Sequence, residues 1–223
     1  MAQRDDGRDE QRAEMAARAS KIAHDLNNIV SVIIGYSNLL LDVVPADSPG
    51  RRMAEEVQRA SLAAAELTRQ LVEVRREQKA LEEGTAAPTA IPVYEPPPAS
   101  GPASDPGLTT VLVLEDDAGV RRLAESILTR GGYRVLLASE GEAAVALCER
   151  HPGAIDLMLA DMVLDGQASG ELVKHARKLR PTMRVLFMSG YSQEGPPADG
   201  AQFLPKPFTA DVLLKRVRSL LCR

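Results

Sequence analysis

Two kinds of hydrophobic periodicity divide this chain. In its first third, Met15, Ala19, Ile22, Leu26, Ile29, Ile33, Tyr36, Leu40 and Val43 recur at alternating steps of four and three, the spacing of one face of an α-helix packed in a bundle. Pro45-Ala46-Asp47-Ser48-Pro49-Gly50 breaks the run. A second stripe of Met53, Val57, Ala60, Ala64, Leu67, Leu71 and Val74 follows and ends in charged residues before Gly84. The pattern predicts a helical hairpin over residues 13–83, with residues 1–12, charged and patternless, as a disordered tail. Two helices alone bury little, and Val30, Ile34 and Leu41 widen the apolar surface of the first. The economical solution is a homodimer that closes a four-helix bundle.

Beyond residue 109 the pattern becomes short apolar runs separated by helical ones. Val111 to Leu114, Tyr133 to Ala138, Leu157 to Asp161, Val185 to Met188 and Gln202 to Leu204 read as strands. Val120, Leu123, Ala124, Ile127 and Leu128 give a helix closed by Gly131-Gly132. Ser139-Glu140-Gly141-Glu142 is a possible capping box for a helix that stops at His151-Pro152-Gly153. Ser169 to Arg180 and Thr209 to Leu221 give two more helices, with Thr209 as N-cap of the last. Strands alternating with helices predict a doubly wound parallel sheet over residues 109–223. Between the two regions, residues 84–108 hold seven of the fifteen prolines and predict a semi-extended linker.

Composition narrows the function classes. With 27 basic and 31 acidic residues the net charge is −4, which disfavours nucleic acid and anionic membrane as partners. Cys148 and Cys222 form no metal or disulfide framework, in keeping with a reducing cytoplasm. The stretch Ile29 to Leu41, interrupted by Ser31, Gly35, Ser37 and Asn38, is too short to span a bilayer. A soluble, cytoplasmic protein is expected.

The chemistry gathers at strand ends. Leu157-Met158-Leu159-Ala160 ends on Asp161, Val111 to Leu114 stops at Glu115-Asp116-Asp117, Val185 to Met188 stops at Ser189-Gly190, and Gln202-Phe203-Leu204 leads into Pro205-Lys206-Pro207. In a parallel α/β sheet these ends surround one crevice. Glu115, Asp116 and Asp161 suit Mg²⁺, which prefers carboxylate, water and phosphate oxygens. An aspartate nucleophile (Asp161), a metal, the Lys206 ammonium and the Ser189 hydroxyl are the parts of phosphoryl transfer to a carboxylate. Residues 110–222 therefore resemble a response-regulator receiver domain, with Val-Leu-Glu-Asp-Asp, Leu-Ala-Asp, Met-Ser-Gly-Tyr and Leu-Pro-Lys-Pro-Phe in the family's order. The resemblance implies a flavodoxin-like strand order 2-1-3-4-5, phosphorylation at Asp161 and an aromatic residue, Phe203, that reorients with Ser189. Two departures stand out: Asp165 occupies a position where the family often has proline, and Ser192 to Gln202 is short for the family's usual helix, which puts output through that surface in doubt.

A second site lies in the first helix. His24, about 180° around the helix from Ile22 and Leu26 at ~100° per residue, is expected to face water. His24-Asp25-Leu26-Asn27-Asn28 resembles the histidine box of the dimerisation and phosphoacceptor domain of sensor histidine kinases, in the variety found in hybrid kinases. That resemblance implies His24 as phosphoacceptor, Asp25 as the base that holds its ring, and Asn28 as an amide able to orient a hydrolytic water. His151 and His175 lack such company and read as structural or solvated. No G-x-G-x-x-G or G-x-x-x-x-G-K-[ST] occurs, so phosphotransfer rather than autophosphorylation from ATP is expected. The partners implied are a sensor histidine kinase, a response regulator or a phosphotransfer protein. Two other readings are a receiver that rearranges a dimeric binding module with His24 inactive, and a phosphatase or phosphate sink for a partner kinase.

Overall fold

A computed structural model describes residues 3–83, 109–164, 167–190 and 202–221. The predicted linker over 84–108, the segment 192–201, Asp165, Tyr191 and Cys222 lie outside these residues. Helices α1 (Gln3–Val43) and α2 (Pro49–Glu83) form the predicted hairpin. α1 starts at Gln3, inside the stretch read from sequence as a tail. At the turn the Ser48 hydroxyl accepts the Arg51 N–H at 3.1 Å, an N-cap for α2. The Arg51 guanidinium donates to the Leu41 carbonyl at 2.8 Å and satisfies the end of α1.

The expectation that polar residues interrupt the apolar part of α1 needs correction. Ser31 and Ser37 donate to the carbonyls of Asn27 and Ile33 one turn back, at 2.6 and 2.7 Å, and the helix runs on through both. As a result, Ala17–Val43 is long and apolar enough, by length and composition, to cross a bilayer. Within this stretch Asn27, Asn28, Ser31 and Ser37 are enclosed.

α1 has three faces, each roughly a third of its circumference. Val30 and Ile34 pack with Ala65 and Ala64 of α2. The predicted stripe is exposed in the single chain, Ile29 at 56% and Leu40 at 52%, as is its counterpart on α2, with Leu67 at 65%. The third face carries His24, Asn28, Val32, Gly35, Leu39 and Asp42, spaced by steps of four and three. It lies against the α/β region, where Val32 and Leu39 pack on that region's core.

That region has a five-stranded sheet in the order β2-β1-β3-β6-β7, built from β1 (Thr110–Leu114), β2 (Arg134–Ala138), β3 (Leu157–Asp161), β6 (Arg184–Ser189) and β7 (Gln202–Pro205). All four pairings are parallel, which is the predicted 2-1-3-4-5 order. β1 and β3 are buried along their whole length, the reason their sequences are continuous apolar runs. Val111, Val113, Leu157 and Leu159 face helices α3 (Ala118–Arg130) and α6 (Ala210–Leu221). Leu112, Leu114, Met158 and Ala160 face α4 (Gly141–Arg150) and α5 (Gly170–Leu179).

Two local details differ from expectation. The capping box does not form: Glu140, not Ser139, is the N-cap of α4 and makes no side-chain cap bond. A small antiparallel pair, β4 (Val163–Leu164) with β5 (Gln167–Ala168), follows β3 and was not predicted. It returns the chain so that the Ser169 hydroxyl, instead of capping α5, donates to the Asp161 carbonyl at 2.6 Å. Thr209 does cap α6, its hydroxyl accepting from Val212 N–H at 3.4 Å.

Candidate functional site

The strand order reverses between β1 and β3, so their carboxyl ends diverge from the flanking crossovers and open a crevice. Glu115 follows β1 and Asp161 ends β3. Their side chains are 0% and 1% exposed, and Lys206, following β7, is 1% exposed. Lys206 Nζ donates to Glu115 Oε2 at 2.8 Å and to Asp161 Oδ2 at 2.6 Å. The Val163 N–H donates to Asp161 Oδ1 at 3.1 Å. Lys206 is held at its backbone by the Ser189 carbonyl, which accepts the Lys206 N–H at 2.7 Å and ties the end of β7 to the end of β6.

The loop after β1 is fixed from two sides. Asp117 caps α3, accepting from Gly119 and Val120 N–H at 2.8 and 2.9 Å. Arg121, one turn into α3, donates from Nη1 to the carbonyls of Glu115 at 2.7 Å and Asp116 at 3.0 Å. Sequence reasoning missed Arg121, whose only signal is a cation one helical turn past an acidic loop.

Glu115, Asp116 and Asp161 can each offer one oxygen, all within 4.8 Å of one another. Glu115 Oε1 is buried with no hydrogen-bond partner. An orphaned carboxylate oxygen inside a cluster of three acids fits a hard divalent cation such as Mg²⁺.

The electrostatics follow from burial against charge. Burial pushes the Glu115 carboxyl up to about 8, although Lys206 pulls the other way. Burial would likewise lower Lys206 and raise Asp161. The two carboxylates nonetheless hold Lys206 above its ordinary value, while His24, Lys206 and the Val163 N–H hold Asp161 below its own.

α1 brings the second set of predicted residues to the same place. His24 does not face water, as its position opposite Ile22 and Leu26 had implied. Its side chain is 18% exposed, and Nε2 stands 3.6 Å from Asp161 Oδ2, because the face opposite the apolar stripe is the one docked on the receiver-like region beside the carboxyl end of β3. The facing Asp161 carboxylate raises the His24 pKa despite burial. Nε2 is enclosed and makes no hydrogen bond. On the ring's other side, Nδ1 is 3.6 Å from Oδ1 of the more exposed Asp25. Asn28 is buried, and its Oδ1 accepts from Lys206 Nζ at 3.2 Å. Phe203 stacks on Phe187 with ring centroids 5.9 Å apart.

Residues 111–218 match the response regulator receiver domain family. The chain is 33% identical over 120 residues to the sensor kinase CckA of Brucella abortus (strain 2308), covering 52% of this chain and 13% of that protein. It is 28% identical over 116 residues to the response regulator receiver protein CpdR of the same organism, covering 50% of this chain and 95% of that one. Against the solved receiver domain from the hybrid histidine kinase CckA, the identity is 38% over 50% of this chain and 98% of that chain, with a TM-score of 0.45. The chain thus spans only a small part of the similar sensor kinase and about half of the similar regulator YrkP of Bacillus subtilis (strain 168).

Proposed function

We propose, from the premise that residues 111–218 are a response regulator receiver domain of two-component signalling, that the whole chain is a phosphorelay protein in which phosphoryl groups move between His24 and Asp161. The observation that carries this reading is the 3.6 Å approach of His24 Nε2 to Asp161 Oδ2 beside a buried lysine.

In the transfer step the Asp161 Oδ2 lone pair forms the O–P bond. The N–P bond to His24 Nε2 breaks, and its electron pair returns to the imidazole. The empty pair is already close, so only a small separation fits phosphorus in line. Lys206 lies where it can donate to the moving oxygens, and Asp25 stabilises a proton on Nδ1 of the leaving imidazole. Glu115, Asp116 and Asp161 would hold Mg²⁺, whose charge neutralises phosphoryl oxygens. Ser189 is assigned to a phosphoryl oxygen as well, from its place at the end of β6.

The exposed stripes on α1 and α2 support a homodimeric four-helix bundle, with a second copy covering Ile29, Leu40 and Leu67. A sensor histidine kinase or phosphotransfer protein would load or drain the pair. The location is cytoplasmic, with neither nucleic acid nor membrane as partner, in line with the net charge and the enclosed polar residues of α1.

The test is to load the full chain chemically with phosphoramidate and follow the acid-labile, base-stable label on His24. Loaded in EDTA, which stops direct labelling of the receiver, then freed of donor and given Mg²⁺, wild type passes it to an aspartate, whereas Asp161→Asn retains it. Equal lifetimes in both, with no acyl phosphate formed, would overturn the relay.

A further inference from the structure

The contact between α1 and α3 is built from two glycines used in opposite directions. Gly35, in the middle of α1, faces Leu123 of the receiver: a β-carbon at position 35 would lie 2.9 Å from Leu123 Cγ and closer still to both δ-methyls. Leu123 has little freedom to turn away, because it is fully buried among Val111, Val120, Ile127 and their neighbours. In the other direction Gly119, in the first turn of α3, faces Val32 of α1. A β-carbon there would lie 3.0 Å from Val32 Cγ2 and 3.1 Å from Oδ1 of Asp117, the cap of α3. Each partner thus offers one notch and one knob, and on each helix the notch and the knob are about one turn apart.

Glycine inside a long helix is unfavourable unless close approach requires it. Gly35 lies three turns from His24 along the docked face, so displacement there swings the imidazole away from Asp161. Asp42 and Arg130 complete the contact beyond Gly35, with Arg130 Nη2 3.3 Å from Asp42 Oδ2.

We infer that the reciprocal pairs Gly35–Leu123 and Gly119–Val32 are the specificity determinants that seat this chain's own receiver on His24. A receiver with a larger residue in place of Gly119 would meet Val32, and a bundle with any side chain in place of Gly35 would meet Leu123. This rests on the relay reading for its purpose, but the docking itself is measurable without any phosphoryl group.

The experiment uses the full chain, with Cys148 and Cys222 replaced by Ala and with Asp42→Cys and Arg130→Cys as a docking reporter, remote from both acceptors. The rate of cross-linking by a bifunctional thiol reagent that spans the lost side chains is measured in the otherwise wild-type chain, in Gly35→Leu, in Gly119→Ala, and in Gly119→Ala with Val32→Ala. Transfer from phospho-His24 to Asp161 is measured in the same backgrounds without the cysteines.

Gly35→Leu adds a better helix former, so the hairpin still folds. Overpacking at the notch should slow both cross-linking and transfer by about tenfold or more. Gly119→Ala should slow both by roughly threefold, and Val32→Ala should restore them in part, because it removes the methyls on one side of the new β-carbon and leaves Asp117 Oδ1 on the other. Unchanged cross-linking in Gly35→Leu, or failure of Val32→Ala to restore Gly119→Ala, overturns the inference. Glycine-dependent cross-linking without any transfer in wild type leaves the docking assignment standing and removes the relay.

Discussion

Asn28 Oδ1 accepts a hydrogen bond from Lys206 Nζ at 3.2 Å, across 178 residues of sequence. This bond puts a side chain of the helical hairpin inside the receiver's charge cluster, beside His24 and Asp161. Lys206 therefore answers to three acceptors from three parts of the fold, Glu115, Asp161 and Asn28. It holds two buried carboxylates together and joins them to the hairpin.

Replacing Lys206 by Met leaves Glu115 and Asp161 enclosed without their counter-charge. Loss of one partner from a buried ion pair costs about 3–5 kcal/mol, so the receiver should unfold at markedly lower denaturant in the presence of EDTA. Mg²⁺ should return part of that stability, since it meets the same carboxylates. Urea titrations with and without Mg²⁺ check both effects. Adding Asp161→Asn should cost less than the sum of the single changes, because it removes the charge that loss of Lys206 strands.

The His24 imidazole titrates above its ordinary value because of the facing Asp161 carboxylate. The docking free energy it contributes is fully present below about pH 6.5, the value for a free imidazole, and is lost as pH rises through the raised value in the docked state. NMR titration of His24 in EDTA should show the raised pKa, and Asp161→Asn should bring it down. An unchanged His24 titration in Asp161→Asn would mean the pair does not meet in solution.

Much of this arrangement could be read from the residues. The continuous apolar runs that end on Asp161 and Glu115 are the signature of strands covered on both faces, so the sheet and its acidic crevice followed directly. The stripe from Ile22 to Val43 marked one face of α1. The docked face went unread because His24, Asn28, Gly35 and Asp42 are not apolar, and only Val32 and Leu39 carry a hydrophobic signal along it. A glycine in mid-helix, at a helical step from both, was the available clue. The missed hairpin β4–β5 has two residues per strand, too few for a period to show.

Metal dependence should separate the acids. Asp161→Asn should abolish covalent labelling by acetyl phosphate, because it removes the nucleophile. Asp116→Ala should retain the nucleophile but demand far more Mg²⁺, and labelling rates titrated against Mg²⁺ measure the difference. EDTA should stop labelling of the wild type. Labelling of Asp161→Asn at the wild-type rate would move the acceptor elsewhere.

The exposed stripe predicts assembly through the hairpin. Ile29→Lys with Leu67→Lys, both on exposed apolar surface, should convert a dimer to a monomer in light scattering and leave the receiver's Mg²⁺-dependent labelling intact. A wild-type chain that is already monomeric at tens of micromolar would contradict the four-helix bundle.

The proposed relay requires that His24 and Asp161 of the same chain exchange a phosphoryl group. The most direct test mixes two full-length variants, Asp161→Asn carrying phosphate on His24 and His24→Ala with an intact receiver, and compares them with the wild type loaded on His24. Transfer within one chain predicts rapid, concentration-independent appearance of phospho-aspartate in the wild type and at least about tenfold slower appearance in the mixture, even after the subunits have been allowed to exchange. Transfer in the mixture as fast as in the wild type, or none in either, would contradict it.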